Sequence, residues 1–229
     1  YPHIALTWYN MYLTAVRYPN LKFQMDPIVY LKRAYGTACG MFTIPSEIED
    51  WSAYKTGLYN ECVIPKIIAA LRENGMKAQA DRLETFWMRK VKFFVTECKD
   101  VFGSEYPFDT TGFESTFVLA EDGLKAAVFE RDDSPFAESI PYEKAVQFME
   151  SQHKCNIACR GYLEPSYFGY GSDYRGNSTH YLLSYMSQMG GCSILRHALY
   201  YEKEPWEMLR LGYCLLYTSP SPRDRSVSR

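Results

Sequence analysis

Apolar residues recur with helical spacing through most of the chain, and the alternation typical of strands is nearly absent. From residue 60 onward, one helix face collects Val63, Ile64, Ile67, Ile68 and Leu71. Asp26-Pro27 is a start signal for the second helix, with the aspartate as cap and the proline in the first turn. Asn74-Gly75 is a stop signal that another apolar-periodic stretch follows at once, which predicts a helical hairpin. Gly190-Gly191 is unfavourable inside a helix and indicates that a neighbouring helix or substrate approaches closely there, and we favour the helix. The pattern predicts an all-α fold with helices over residues 11–18, 28–35, 60–73, 76–98, 113–129, 141–159, 179–201 and 205–213.

The predicted connections differ in length. Residues 36–59, 99–112 and 160–178 are long, whereas the intervening connections are shorter. Because antiparallel neighbours place alternate connections at opposite ends of a bundle, the three long ones are expected at one end. Binding and catalytic residues are commonly carried on such loops, above a rigid scaffold.

Composition narrows the class of partner. The 229 residues include 20 Tyr and 13 Phe, an aromatic content of 16% that favours a binding cleft. The formal net charge of -2 provides no basic field for nucleic acid. The sequence contains no run of eighteen apolar residues that would span a membrane and no nucleotide-binding motif, so we expect no membrane span and no cofactor.

One cluster has residue types that bind metals. His153, Cys155 and Cys159 are close in sequence, and the two cysteines would share a helix face. A structural zinc site normally needs a second pair at a matching spacing, and the sequence offers none. The sequence therefore predicts no metal site, and the dispersed cysteines are typical of small buried apolar residues.

The two ends of the chain depart from an ordinary domain. It begins without Met, and residues 214–229 abandon the apolar periodicity for a composition rich in Ser, Pro and Arg. The run from Cys214 to Asp224 resembles a translated sequencing-library adapter. We expect residues 1–213 to be a metagenomic fragment of a single domain and residues 214–229 to be a disordered tail. A fragment should also expose apolar patches near residues 8–18 and 206–213.

Four short strings carry a family resemblance: residues 108–116, 163–165, 171–176 and 184–191. With the helical hairpins, they resemble a poorly characterised family of gut-bacterial and fungal proteins that is similar to six-hairpin (α/α)6 glycosidases, and the match covers about residues 60–213. The resemblance implies part of an (α/α)6 toroid, a carbohydrate substrate, and a secreted or periplasmic location.

Glycoside hydrolysis requires two carboxyl groups, one protonated to donate to the leaving oxygen and one ionised. Glu114 begins a predicted helix directly after a long connection, and Asp109 lies five residues before it. Glu164 and Asp173 lie in the aromatic connection. Glu114 is the leading general-acid candidate, with Glu164 or Asp173 as the base. Stabilisation of the helix terminus, a surface loop position or a turn would account for the same acids without catalysis.

The candidate substrate-binding residues surround these acids. Aromatic rings can stack on sugar faces, arginines can bind a uronate or sulfate, and a histidine can contact substrate at the start of a helix. They are Trp51, Tyr162, Tyr167, Tyr170, Tyr174, Arg160, Arg175 and His180. Core packing, structural salt bridges and helix capping are the alternative interpretations of these side chains.

Two alternatives to hydrolysis stay open. In a polysaccharide lyase, Tyr174 and His180 would serve as base and acid in β-elimination at a uronate, and an arginine would neutralise the carboxylate. In a noncatalytic scaffold, the aromatic face would bind glycan without chemistry.

Overall fold

A computed structural model describes residues 2–44, 52–98, 110–128, 140–160 and 183–217. These residues form eight helices and contain no β-strand, which confirms the all-α prediction. The helices are α1 (Pro2–Arg17), α2 (Pro27–Thr43), α3 (Val63–Glu73), α4 (Lys77–Thr96), α5 (Thr110–Val128), α6 (Tyr142–Arg160), α7 (Leu183–Tyr201) and α8 (Trp206–Tyr217).

Helix α2 begins where the sequence predicts and ends later. The Asp26 side chain accepts a hydrogen bond from the backbone N–H of Ile28 at 2.8 Å, and Pro27 occupies the first turn. The expectation that residues 36–59 are irregular is wrong for residues 36–43, which continue the helix. Burial of apolar side chains in this segment, including Met41 and Phe42, outweighs the low helix propensity of its glycines.

Helices α3 and α4 form the predicted hairpin. Gly75 adopts a φ of 72°, which suits glycine at the end of a helix. Arg72, in the last turn of α3, forms ion pairs with Asp81 and Glu84 of α4. The hairpin is therefore fixed by a local turn and by contacts across it.

Helix α1 packs beside this hairpin and is much longer than its predicted span of residues 11–18. The Tyr12 hydroxyl accepts a hydrogen bond from Asn74 Nδ2 at 2.9 Å, so α1 is tied to the α3–α4 turn. Its Trp8 ring stacks against Tyr30 of α2, with ring centroids 6.2 Å apart.

Helices α2 and α4 run in the same direction. Tyr35 of α2 interacts with Arg82 of α4. Further along both helices, the ring centroids of Phe42 in α2 and Phe86 in α4 lie 5.8 Å apart. Both helices therefore end on the same side of the bundle. Helix α5 runs antiparallel to α4, because Trp87 Nε1 donates to Asp122 Oδ2 while residue 90 of α4 is linked to the start of α5. The end of α2, the end of α4 and the start of α5 thus share one side.

Helices α7 and α8 approach each other at two glycines. A Cβ built on Gly191 would lie 2.8 Å from the carbonyl oxygen of Gly212, and one built on Gly212 would lie 2.9 Å from that of Gly191. The glycines at residues 190–191 are unfavourable in a helix and predict the close approach of a neighbouring helix, which this contact confirms. Helix α8 continues through Tyr217, past the tail boundary expected at residue 214, and Leu215 is buried. Residues 218–229 lie outside the described residues.

Substituting Gly191 by Ala is expected to lower the free energy of unfolding by about 1–3 kcal/mol, because the added methyl forces α7 and α8 apart. Gly36→Ala is the matched control, since a Cβ at Gly36 meets nothing within 4 Å. That exposed helical site should gain about 0.5–1 kcal/mol. Urea denaturation of both variants measures the difference, and equal effects would contradict the close helix contact.

Large apolar side chains are exposed on the first helix and around the last one. They include Leu13, Val16 and Tyr18 on one side and Leu199, Tyr200, Trp206 and Tyr213 on the other, with Trp206 73% exposed. Leu13, Val16, Tyr18, Trp206 and Tyr213 agree with the expectation of apolar surface near residues 8–18 and 206–213, whereas Leu199 and Tyr200 lie outside those ranges. None of the described helices combines the length and hydropathy needed to cross a membrane.

Candidate functional site

An ion-pair network built on the buried side chains of Glu61, Lys90 and Ser115 joins three parts of the chain. Lys90 of α4 contacts Glu61, and its Nζ also donates to the backbone oxygen of Thr56 at 2.6 Å. The Ser115 hydroxyl of α5 donates to the other carboxylate oxygen of Glu61. Thr56, Glu61, Lys90 and Ser115 are named here the buried ion-pair network, and it links the segment before α3 to α4 and α5.

Burial governs the electrostatics of this network. It raises the pKa of Glu61 and lowers the pKa of Lys90, and the contact between the two groups opposes both shifts. Both side chains are 0% exposed, so neither can reach a substrate. The network therefore acts by positioning helices, and breaking it would leave an unpaired buried charge.

The network holds the part of α5 that contains Glu114. Helix α5 begins at Thr110, so Glu114 is the fifth residue of the helix. The expectation that Glu114 starts the helix is therefore wrong. The backbone of Glu114 directly precedes buried Ser115 in the helix, while its side chain lies outside the described part of the chain.

A surface pocket opens on the same half of α4. It has a volume of about 340 Å³ and is lined by Ser52, Tyr54, Lys55, Arg89, Lys92, Phe93 and Glu97, which together are named here the basic pocket. The Arg89 guanidinium lies 4.5 Å from the centre of the Tyr54 ring, and Lys55 Nζ lies 5.9 Å from that of Phe93. The pocket thus combines two aromatic rings with three cations and one acid.

A second surface pocket differs from the basic pocket because its cations are paired with acids. This pocket, of about 260 Å³, lies between α3, α4 and α5. Its Arg72 pairs with Glu84, and its Lys125 pairs with Asp122 at 2.9 Å. In the basic pocket, by contrast, Lys55, Arg89 and Lys92 form no ion pair with any residue that the structure describes. The basic pocket is therefore the one that retains positive charge for an anionic ligand.

Most of the site residues predicted from the sequence lie outside the described residues, namely Trp51, Asp109, Tyr162, Glu164, Tyr167, Tyr170, Asp173, Tyr174, Arg175 and His180. Arg160 ends helix α6, so the expectation that it opens a long connection is corrected, and its side chain also falls outside the described part. Trp51 directly precedes the basic-pocket residue Ser52 in the chain.

The structure brings together two histidines that sequence reasoning kept apart. The rings of His153 in α6 and His197 in α7 stack with centroids 3.5 Å apart and planes inclined by 9°. Glu202, just after α7, places Oε1 3.3 Å from Nε2 of His197 and 3.8 Å from Nε2 of His153. These three residues are named here the histidine cluster. The available signal was one mid-helix histidine on each of two neighbouring predicted helices.

Both imidazoles of the histidine cluster favour the neutral form. Burial, helped by the neighbouring His197 and Lys154, lowers the pKa of His153 to about 4. Burial also lowers the pKa of His197, while Glu202 opposes that shift. At neutral pH, each ring therefore carries a nitrogen lone pair.

The protein is thus an all-α protein of packed helices with a surface pocket lined by cationic and aromatic side chains. The model of DUF5695, a family of unknown function, matches residues 1–122, more than half of the chain, so the protein belongs to this family. No curated protein and no solved structure matches the chain. The matched region includes the buried ion-pair network and the basic pocket, whereas the histidine cluster lies beyond it.

Proposed function

We propose that this protein hydrolyses a glycosidic bond in a poly- or oligosaccharide. In this proposal, the hairpins form part of an (α/α)6 toroid, Glu114 is the general acid, and Glu164 or Asp173 is the base. The observation that carries it is the basic pocket on the second half of α4, at the end of the bundle where the Glu114-bearing helix α5 begins. A secreted or periplasmic location belongs to the same proposal.

The lining of the basic pocket suits a sugar ring. Tyr54 and Phe93 offer apolar ring faces on which the apolar face of a sugar can pack. The surrounding Lys, Arg, Ser and Glu side chains provide hydrogen bonds for hydroxyl groups. Three cations against one acid favour a sugar that carries a carboxylate or sulfate, since an arginine can bind either group through two hydrogen bonds.

The buried ion-pair network provides the rigidity that catalysis needs. It fixes Ser115 of α5 against Glu61 and Lys90, and Lys90 follows the pocket residue Arg89 in α4. The backbone of Glu114 is therefore held relative to the basic pocket by a contact without solvent access. General-acid catalysis depends on such fixed geometry between the acid and the bound sugar.

The direct test is turnover by the purified chain on matched neutral and acidic oligosaccharides. Hydrolysis predicts new reducing ends and no unsaturated product, with the acidic substrates preferred. Chromatography of the products and ultraviolet absorbance measure both outcomes. Absence of any cleavage across the panel, by protein that is shown to be folded, would reject the hydrolase proposal.

The positive charge of the basic pocket also favours a second reaction, β-elimination at a uronate. In that reaction, a base removes the proton α to the carboxylate and the leaving oxygen departs, which creates a carbon–carbon double bond. Ultraviolet absorbance of the unsaturated product distinguishes it, because a hydrolase adds water and forms no double bond. Binding on a glycan array without either product would instead indicate a noncatalytic scaffold.

Removing positive charge from the basic pocket should weaken the binding of acidic ligands more than that of neutral ones. In the variant Lys55→Gln/Lys92→Gln, we expect the dissociation constant of an acidic oligosaccharide to rise about tenfold, since each solvent-accessible charge pair contributes about 0.2–1 kcal/mol and tenfold corresponds to about 1.4 kcal/mol. The dissociation constant of its neutral counterpart should change little. Calorimetric titration measures both, and Lys77→Gln is the control because exposed Lys77 lies at the opposite end of α4. Equal weakening of both ligands would contradict an anion-binding role.

A further inference from the structure

The histidine cluster gathers three potential metal ligands from positions far apart in the sequence. One ligand atom from each of His153, His197 and Glu202 lies within 4.8 Å of the other two. Both imidazoles are buried, with side chains 9% and 7% exposed, whereas the Glu202 side chain is 36% exposed. The cluster therefore has a protein-lined side and a side open to solvent.

The polar atoms of the histidine cluster have few hydrogen bonds to other described residues. The separation of 3.8 Å between His153 Nε2 and Glu202 Oε1 is too long for a hydrogen bond. In addition, Nδ1 of His197 is buried without a hydrogen-bond partner in the described part of the chain, so no hydrogen bond through this nitrogen fixes the orientation of the ring. Two neutral imidazoles and a carboxylate facing one another are the ligand types that a divalent transition metal takes.

The distances lie close to those of a tetrahedral site. Zinc bonds of about 2.0–2.1 Å place two ligand atoms roughly 3.3 Å apart. The separation of His197 Nε2 and Glu202 Oε1 is already 3.3 Å, and every other separation is at most 4.8 Å. Glu202 follows the end of α7, so its exposed side chain can rotate toward the imidazoles while the helices stay in place. The two rings stack with planes inclined by only 9°, so one imidazole must also turn about its side-chain torsions before both ring nitrogens point to one ion.

We propose that His153, His197 and Glu202 bind one zinc ion. Three protein ligands leave a fourth coordination position on the solvent side of Glu202. Zinc sites that bind water or substrate also have three protein ligands and one open position. The ion joins α6, α7 and the connection to α8. This proposal is independent of glycan hydrolysis, because it rests on none of the residues assigned to that reaction.

The experiment is equilibrium dialysis of the untagged, metal-free chain against Zn²⁺, with Mg²⁺ as the comparison ion. We expect one zinc ion per chain at micromolar free zinc, and no binding of Mg²⁺ because that ion prefers oxygen ligands. Glu202→Gln should weaken zinc binding at least tenfold. Glu204→Gln, which removes an exposed acid two residues away, should leave it unchanged.

Cobalt spectroscopy and thermal unfolding distinguish this site from binding at cysteine sulfur. Co²⁺ in the site should show the visible absorption of a tetrahedral complex without a thiolate charge-transfer band. Zinc should raise the unfolding temperature of the parent chain and of Glu204→Gln, but much less that of Glu202→Gln. No zinc binding by the folded parent, or equal binding in the two glutamate variants, would overturn the proposal, as would a thiolate band.

Discussion

Replacing Lys90 by Met is expected to lower the free energy of unfolding by about 3–5 kcal/mol. Methionine keeps most of the aliphatic stem and removes the ammonium group. The carboxylate of Glu61 would then stay buried with only the Ser115 hydroxyl and the backbone N–H of Leu58 as hydrogen-bond donors, and with no positive partner. Urea denaturation followed by circular dichroism measures the loss.

Two comparisons make this prediction specific. Lys92→Met, two residues further along α4 and only half-buried, should change stability by no more than about 0.5 kcal/mol. The double variant Lys90→Met/Glu61→Met should recover much of the loss, because it removes both buried charges. A double variant that is no more stable than Lys90→Met would show that packing, and not the unpaired charge, explains the effect.

Glu114→Gln is expected to reduce turnover of an oligosaccharide by about 10²- to 10⁴-fold, with little change in binding. Glutamine keeps the shape of the side chain but has no proton to transfer to the leaving oxygen. Steady-state kinetics measures turnover, and calorimetry with the same oligosaccharide measures binding. Glu143→Gln is the control, since Glu143 is an exposed acid in the first turn of α6.

The identity of the leaving group distinguishes loss of a general acid from loss of structure. A substrate that releases a nitrophenolate needs little protonation, so the deficit of Glu114→Gln should shrink strongly on that substrate. A structural defect would lower both rates alike. Full activity of Glu114→Gln on the oligosaccharide would remove Glu114 from the mechanism and leave the basic pocket as a binding feature.

Local signals were sufficient for the α3–α4 hairpin and for the start of α2. Gly75 and Asp26 act on backbone groups within a few residues of themselves, so their effects can be read from the sequence alone. The glycines at residues 190–191 likewise predicted a close neighbour, although the sequence could not tell that Gly212 faces Gly191. That pairing depends on the register between two helices.

Helix length was less predictable than helix position. Residues 36–43 contain two glycines and were expected to be irregular, but tertiary burial of Ala38, Met41 and Phe42 keeps them helical. The same cause extends α8 to Tyr217, since Leu215 packs against α7. In residues 36–43, the free energy of packing exceeds a local preference of roughly 1 kcal/mol per glycine.

The sequence by itself determined the all-α class, the hairpin turn and the helix cap, because these depend on periodicity and on neighbours along the chain. Only the tertiary structure decided that Lys90 pairs with Glu61, 29 positions away, and that His153 meets His197. In the sequence, Lys90 and Glu61 look like ordinary surface charges. Helix packing sets which side chains meet, and a shift of one residue in register would separate them, so no local pattern encodes these contacts.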